Sequence, residues 1–270
     1  MSAVRVDSNQ AKSAPVAVVS GASSGIGAAI ARQLAANGYA VVLVARREAA
    51  LVEVATTIER AGGAALVVPG DAAEATAMQQ VVAKALAWRG RLDVVVANAG
   101  VYHRGPATEL TRAQLETALR DNFWTAFHLV EAALPAVRQA RGSLFFVNSF
   151  DAKKGLPLDA AYATAKCALA GYAATLRQAL RADGVHVGTA FPGRVDTPMI
   201  AHVDVPAVSA KISPERVARA VVRGIRRRRA EVIVPWHCRF LWWVDVLSPR
   251  LGDWLVARLR LDGTVPRQQP

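Results

Sequence analysis

The chain has 270 residues, 53% of them hydrophobic and 20% charged, with a formal net charge of +12. That length and apolar content suit one large α/β domain with its own core, and they exclude a disordered or disulfide-stapled chain. Excess arginine attracts phosphate. Without a helix-turn-helix, a zinc module or a basic-aromatic sheet pattern beside it, no nucleic-acid partner is expected.

Cys167 and Cys238 cannot form a disulfide framework, which suits a reducing, cytoplasmic compartment. Neither the cysteines nor the five histidines show metal-ligand spacing, so no metal is expected. Cys167 reads as core packing, and His103 is a candidate pocket-wall residue. Residues 1–14 are polar, lack the apolar centre of a signal peptide and read as a loose tail.

In chain order, Val16–Ser20 is a short β-branched run that reads as a buried strand. It enters Gly21-Ala-Ser-Ser-Gly25-Ile-Gly27 and then an alanine-rich amphipathic stretch over 28–37, closed by Gly38. Strand, glycine turn and helix form the context of a dinucleotide-binding turn. Gly21 permits the turn, Gly25 lets the backbone approach a pyrophosphate, and Gly27 lets helix and strand pack closely. The phosphates would meet the unpaired N–H groups at the helix start.

Further apolar runs at 40–45, 64–68, 92–97, 143–148, 185–191 and 231–234 read as strands, and 111–138 and 160–182 as amphipathic helices. Such alternation predicts right-handed crossovers and an α/β, doubly wound, Rossmann-like domain over 15–235, with a seven-stranded parallel sheet between helices. Tyr162 and Lys166 are four apart, so they share a helix face, and Ser149 lies thirteen residues before Tyr162. An ammonium beside a phenol favours the phenolate. Lys166 is therefore expected to lower the Tyr162 pKa and let it exchange protons near neutrality.

The Gly-x-x-x-Gly-x-Gly spacing, Asn98-Ala-Gly100, Asn122, Ser149, Tyr162, Lys166 and Pro192-Gly193 together resemble the short-chain dehydrogenase/reductase family over about residues 16–235. Ser20 stands where that family usually has threonine. The resemblance implies catalytic Asn122, Ser149, Tyr162 and Lys166, with Tyr162 as acid/base, Ser149 orienting the carbonyl oxygen and Asn122 holding a relay water. It implies that Lys166 also holds the nicotinamide ribose, that Asp71 meets the adenine, and that Asn98 steadies the strand beside the cofactor. Ser23, Ser24, Ile26, Ala72, Ala99, Gly100 and Val195 are expected along the cofactor. Pro192-Gly193 and Thr197 would border the nicotinamide end. A homodimer or homotetramer through the two long helices is the family's usual assembly.

The second strand ends at Ala45 and is followed by Arg46 and Arg47, with no acid before Glu48. A guanidinium holds a 2′-phosphate by paired charge-assisted bonds, whereas an NAD site places a carboxylate there. NADP is therefore the expected cofactor, and an oxidoreductase acting on a carbonyl or secondary alcohol the expected enzyme. A non-catalytic NADP-binding sensor of the same fold is the alternative, disfavoured by the intact four-residue set.

The long apolar loop from Arg194 to about Lys211, including Met199, Ile200, Val203, Val205 and Val208, would close over substrate. Phe150, Leu156, Pro157, Tyr102 and Met199 are expected pocket walls, with Ser149 and Tyr162 at the reacting end. Asp151, Lys153 and Lys154 read as a solvated loop.

After Pro235, Trp236, Trp242, Trp243 and Trp254 cluster in an extension over 236–270, preceded by four arginines at 226–229. Pro249 should split it into two helices. It could adsorb to an anionic membrane surface, cap the substrate cleft or contact another subunit. It is too short and too charged to span a bilayer.

Overall fold

The computed structural model describes residues 14–201, 203, 205–206 and 209–261. The tail through residue 13, Val208 of the apolar loop and residues 262–270 of the extension lie outside the described residues.

Seven strands form one parallel sheet in the order β3-β2-β1-β4-β5-β6-β7. They are β1 (Val16–Ser20), β2 (Ala40–Ala45), β3 (Ala64–Pro69), β4 (Val94–Ala97), β5 (Ser143–Val147), β6 (His186–Pro192) and β7 (Glu231–Val234). The runs are apolar throughout because both faces of the sheet are covered. In β1, Ala17 and Val19 enter one core while Val16 and Val18 enter the other. The first core is closed by α1 (Gly25–Ala35), α2 (Glu48–Arg60) and α7 (Pro214–Arg226). The second lies under α3 (Ala75–Arg89), α5 (Thr125–Gln139) and α6 (Ala160–Ala179). Strand order reverses between β1 and β4, and such a switch point opens a crevice at the carboxyl ends of the strands.

The stretch expected as one helix over 111–138 is broken in its middle. α4 (Arg112–Leu119) passes through a π-helical turn at Arg120–Trp124 into α5. The wider turn holds Asn122, whose Nδ2 donates to the carbonyls of Ala118 at 3.1 Å and Val101 at 2.9 Å. A buried amide thus satisfies backbone that the irregular turn leaves free, as such bulges at functional sites often require.

Beyond β7, Pro249 separates α8 (Cys238–Leu247) from α9 (Pro249–Arg258), and the Ser248 hydroxyl accepts from the Leu251 N–H at 3.4 Å. Among the described residues, no helix is long and apolar enough to cross a membrane.

Candidate active site

The glycine turn is built by sterics. Gly21 and Gly25 have φ of +65° and +54°, the left-handed region that glycine enters at least cost. A Cβ on Gly27 would lie 2.2 Å from the Gly21 carbonyl oxygen and 2.5 Å from Asn98 Nδ2. Ser20 ties this turn to the end of β4. Its hydroxyl accepts the N–H groups of Asn98 and Ala99, each at 3.0 Å, while Asn98 Nδ2 donates to the Ser20 carbonyl at 3.0 Å. The hydroxyl shared by serine and threonine explains why either residue serves here.

The helix start at Ser24 carries no side-chain cap and no acidic residue in its first turn. Its N–H groups and positive dipole end are therefore suited to an anion. A cleft of about 370 Å³ opens above it, lined by the turn from Gly21 to Gly27, by Arg46, Arg47, Asp71 and Ala72, and by Asn98-Ala99-Gly100. Arg47 donates to the hydroxyls of Ser23 and Ser24 at 3.1 and 3.0 Å, bracing the turn, whereas Arg46 is largely exposed, 4.0 Å from Asp71. A cradle that only glycine fits, a bare helix start and two guanidinium groups match the donor set a phosphorylated dinucleotide needs.

Tyr162, Lys166 and Asn122 line the inner end of the same cleft. Asn148, which the sequence reading missed, joins the parts. Its Nδ2 donates to the Lys166 carbonyl at 3.0 Å and its Oδ1 accepts the Ser149 N–H at 2.8 Å. Burial is the only sequence signal that could have found it, because it directly follows a continuous apolar strand. Lys166 Nζ lies 5.5 Å from the Tyr162 ring centroid and 3.4 Å from the Val147 carbonyl. Burial lowers the Lys166 pKa to about 8, against a smaller opposing pull from Asp151.

The expected low phenol pKa is not what the environment produces. Burial pushes Tyr162 above its ordinary value, Asp151 and Asp159 add to the rise, and the hydrogen bond with Ser149 only partly opposes it. Desolvation and two carboxylates outweigh the nearby ammonium. The phenol is therefore held in its proton-bearing form, the state required to donate to a carbonyl oxygen.

Tyr162 also borders a second cavity of about 730 Å³, mostly apolar, which Thr197 and Met199 share with the cleft. Ser149, Phe150, Tyr102, Leu156 and Met199 line it as expected. Pro157 does not. It is exposed, and its carbonyl accepts the Ala107 N–H at 3.1 Å. Pro192, Gly193 and Val195 lie on this cavity, beyond the glycine cleft. His103 lines neither space and pairs with Asp121 at 2.9 Å. Cys167 is exposed, not core, because one helical step from buried Lys166 turns a side chain by about 100°.

The segment read as a solvated loop is instead internal wiring. Ser149 Oγ donates to Asp151 Oδ2 at 2.8 Å. Lys153 pairs with Glu231 at 3.0 Å and lies over the rings of Phe191 and Trp242. Buried Lys154 bridges Asp245 of α8 at 2.5 Å and Asp253 of α9 at 2.6 Å. Arg194 adds a bond from its guanidinium to the Leu261 carbonyl. These contacts hold the extension over the cavity, where Trp236, Phe240, Leu241, Leu255 and Leu259 complete the wall. The lysines escaped the sequence reading because their acidic partners lie 78 to 99 residues away.

A sheet with this order and a tyrosine-lysine pair at its switch point define a dinucleotide-dependent oxidoreductase. The chain belongs to the short chain dehydrogenase family, whose model matches residues 15–205. It is 32% identical over 222 residues to the ketoacyl reductase HetN of Nostoc sp., covering 80% of this chain and 77% of the relative. It is also 32% identical to a hydroxysteroid 11-beta-dehydrogenase 1-like protein of Xenopus tropicalis, covering 90% and 86%. Among solved structures, an actinorhodin polyketide ketoreductase with NADPH superposes with a TM-score of 0.77 at 26% identity, covering 84% of this chain and 98% of that one. An alcohol dehydrogenase from Thermococcus sibiricus complexed with 5-hydroxy-NADP gives 0.74 at 27% identity, covering 82% and 95%.

Proposed function

We propose that the protein is an NADP(H)-dependent reductase or dehydrogenase that interconverts a carbonyl and a secondary alcohol on an apolar substrate. One observation carries this reading: Tyr162 borders both the glycine-lined cleft and the apolar cavity, so its phenol sits where cofactor and substrate would meet. The glycine turn, Arg46 and Arg47 would hold the dinucleotide in the cleft, and its nicotinamide would supply or accept a hydride there. Tyr162 donates its proton to the carbonyl oxygen, and Ser149 orients that oxygen and stabilises its growing charge. Lys166 and Asn122 hold the inner end of the cleft, and the extension over 236–261 excludes water from the reacting centre. The ketoreductase named among the solved structures carries NADPH, which supports the cofactor choice.

A panel of steroid, fatty-acyl and aromatic ketones, followed by NADPH absorbance, tests the activity. If none is reduced although NADPH binds, the sensor alternative replaces it. Arg46→Ala is expected to weaken NADPH by about ten- to a hundredfold, the worth of one or two charge-assisted bonds, and to leave NADH nearly unchanged. Equal losses for both cofactors would refute the NADP assignment.

Two surface proposals accompany this reading. Trp124, 43% exposed, caps an aromatic group with Phe123, Phe127 and Tyr172 on the face of α5 and α6, which supports pairing of two copies there. Outward Trp243, Leu247 and Trp254 beside Arg239 and Arg250 support adsorption of the extension to an anionic membrane surface. Ultracentrifugation with and without anionic vesicles checks both. A monomer removes the first proposal, and an unchanged profile with vesicles removes the second.

A further inference from the structure

Asp151 has no role in the mechanism so far, yet its carboxyl lies in the substrate cavity bonded to a reacting-centre hydroxyl. The geometry has a direction. Ser149 has a single hydroxyl hydrogen, and it points at Asp151 Oδ2 over 2.8 Å. The Asp151 N–H, at 3.2 Å, already occupies one lone pair of Ser149 Oγ. What Ser149 can still offer is its second lone pair. A carbonyl oxygen accepts hydrogen bonds and cannot donate one, so in this arrangement Ser149 has nothing to give it.

We propose that Asp151 is a positioning residue that sets which way the Ser149 hydroxyl points, so that Ser149 assists carbonyl reduction when Asp151 is protonated and not when it is ionised. The inference rests on the carbonyl-reductase reading above. No covalent bond changes in the switch. A carboxylate accepts the Ser149 hydrogen bond and so turns that hydrogen away from the substrate oxygen. A protonated carboxyl donates to Ser149 Oγ instead, and the Ser149 hydrogen is released towards the substrate oxygen. The ionised arrangement suits the reverse reaction, because an alcohol O–H can donate into the free lone pair of Ser149.

The surroundings place this change in an accessible range. Burial pushes the Asp151 pKa up to about 6, and the charge of Asp159 adds to the rise. The Ser149 hydrogen bond, Arg194 after β6 and Lys166 on α6 act against it. Tyr102, Tyr162 and Cys167 are the other titratable groups that feel its charge. A small side chain at 151 would leave Ser149 free at every pH, so the carboxyl makes reduction conditional.

The test is the pH dependence of kcat/KM for ketone reduction between pH 5 and 8.5. Wild type should fall about tenfold or more across a break near pH 6 and then level at a rate supported by Tyr162 alone. Asp151→Asn, whose amide N–H can donate to Ser149 as the protonated acid does, should lose the break and exceed wild type about tenfold at pH 8. Ser149→Ala should also lose the break, but at the low rate. A merely structural aspartate would lower activity at every pH when replaced and leave the break in place. A flat wild-type profile, or a break that survives in either variant, overturns the proposal while leaving the reductase reading intact.

An arm without turnover keeps the inference independent of finding a substrate. Infrared difference spectra of the NADPH complex should show a protonated-carboxyl band lost through about pH 6 in wild type and missing in Asp151→Asn. If the wild type lacks that band, the proposal fails whatever the substrate panel gives.

Discussion

Replacing Tyr162 by phenylalanine is expected to reduce turnover by about 10³-fold, within the range supplied by a positioned general acid. The substitution removes one hydroxyl and little else. The ring keeps its edge contact with Tyr102, centroids 5.0 Å apart, and its burial in α6. Cofactor affinity should stay within about threefold of wild type, because the glycine turn, Arg46, Arg47 and Lys166 are untouched. The two quantities separate cleanly by steady-state kinetics and by fluorescence titration with NADPH. Burial and the charges of Asp151 and Asp159 hold the phenol above its ordinary pKa, so Tyr162 should remain protonated across pH 5 to 9. A loss of reduction in that range therefore reports on other groups, Asp151 first among them. Wild-type turnover in Tyr162→Phe would move the proton source elsewhere in the cavity.

Gly27→Ala is expected to be the most damaging single-methyl change in the cofactor cleft. The new Cβ would lie 2.2 Å from the Gly21 carbonyl oxygen, and the groups it meets belong to the backbone turn and to the Asn98 amide that fixes it. Neither can rotate away as a flexible side-chain end could, so α1 must move from β1. Overpacking of this kind costs about 1–3 kcal/mol of stability. Displacing the turn by even part of an ångström also misaligns the N–H groups aimed at a phosphate. Affinity for NADPH should fall about a hundredfold, the equivalent of roughly 2.7 kcal/mol. Calorimetry of binding and the urea midpoint measure the two effects. By contrast, Gly38→Ala meets nothing within 4 Å and carries only the cost of its φ of +86°, so cofactor affinity should be unchanged. Equal binding losses at both positions would show that the close approach at Gly27 is not what matters.

Much of this site is written in short-range spacing. The glycine turn, the tyrosine-lysine pair and the serine thirteen residues before it depend on strand-turn-helix geometry and on helical periodicity, which repeat wherever those elements form. Seven apolar runs likewise predict seven parallel strands, because burial on both sheet faces demands continuous apolar sequence. The π turn at Asn122 was not legible. An amphipathic pattern continues through one inserted residue with little change, and only the carbonyls of Val101 and Ala118 show why the turn widens.

Charge was harder to read than shape. The sequence by itself determined the fold class, the glycine turn and the pairing of Tyr162 with Lys166 on one helix, since each follows from neighbours close in the chain. Tertiary structure alone decided that Lys153 and Lys154 are internal, that the tryptophan-rich extension walls the cavity, and that Asp151 holds the Ser149 hydroxyl. It also reversed the expected direction of the Tyr162 pKa. The physical reason is common to all of these: desolvation and pairing depend on which distant groups fold against a charge, and residue spacing along the chain does not encode that.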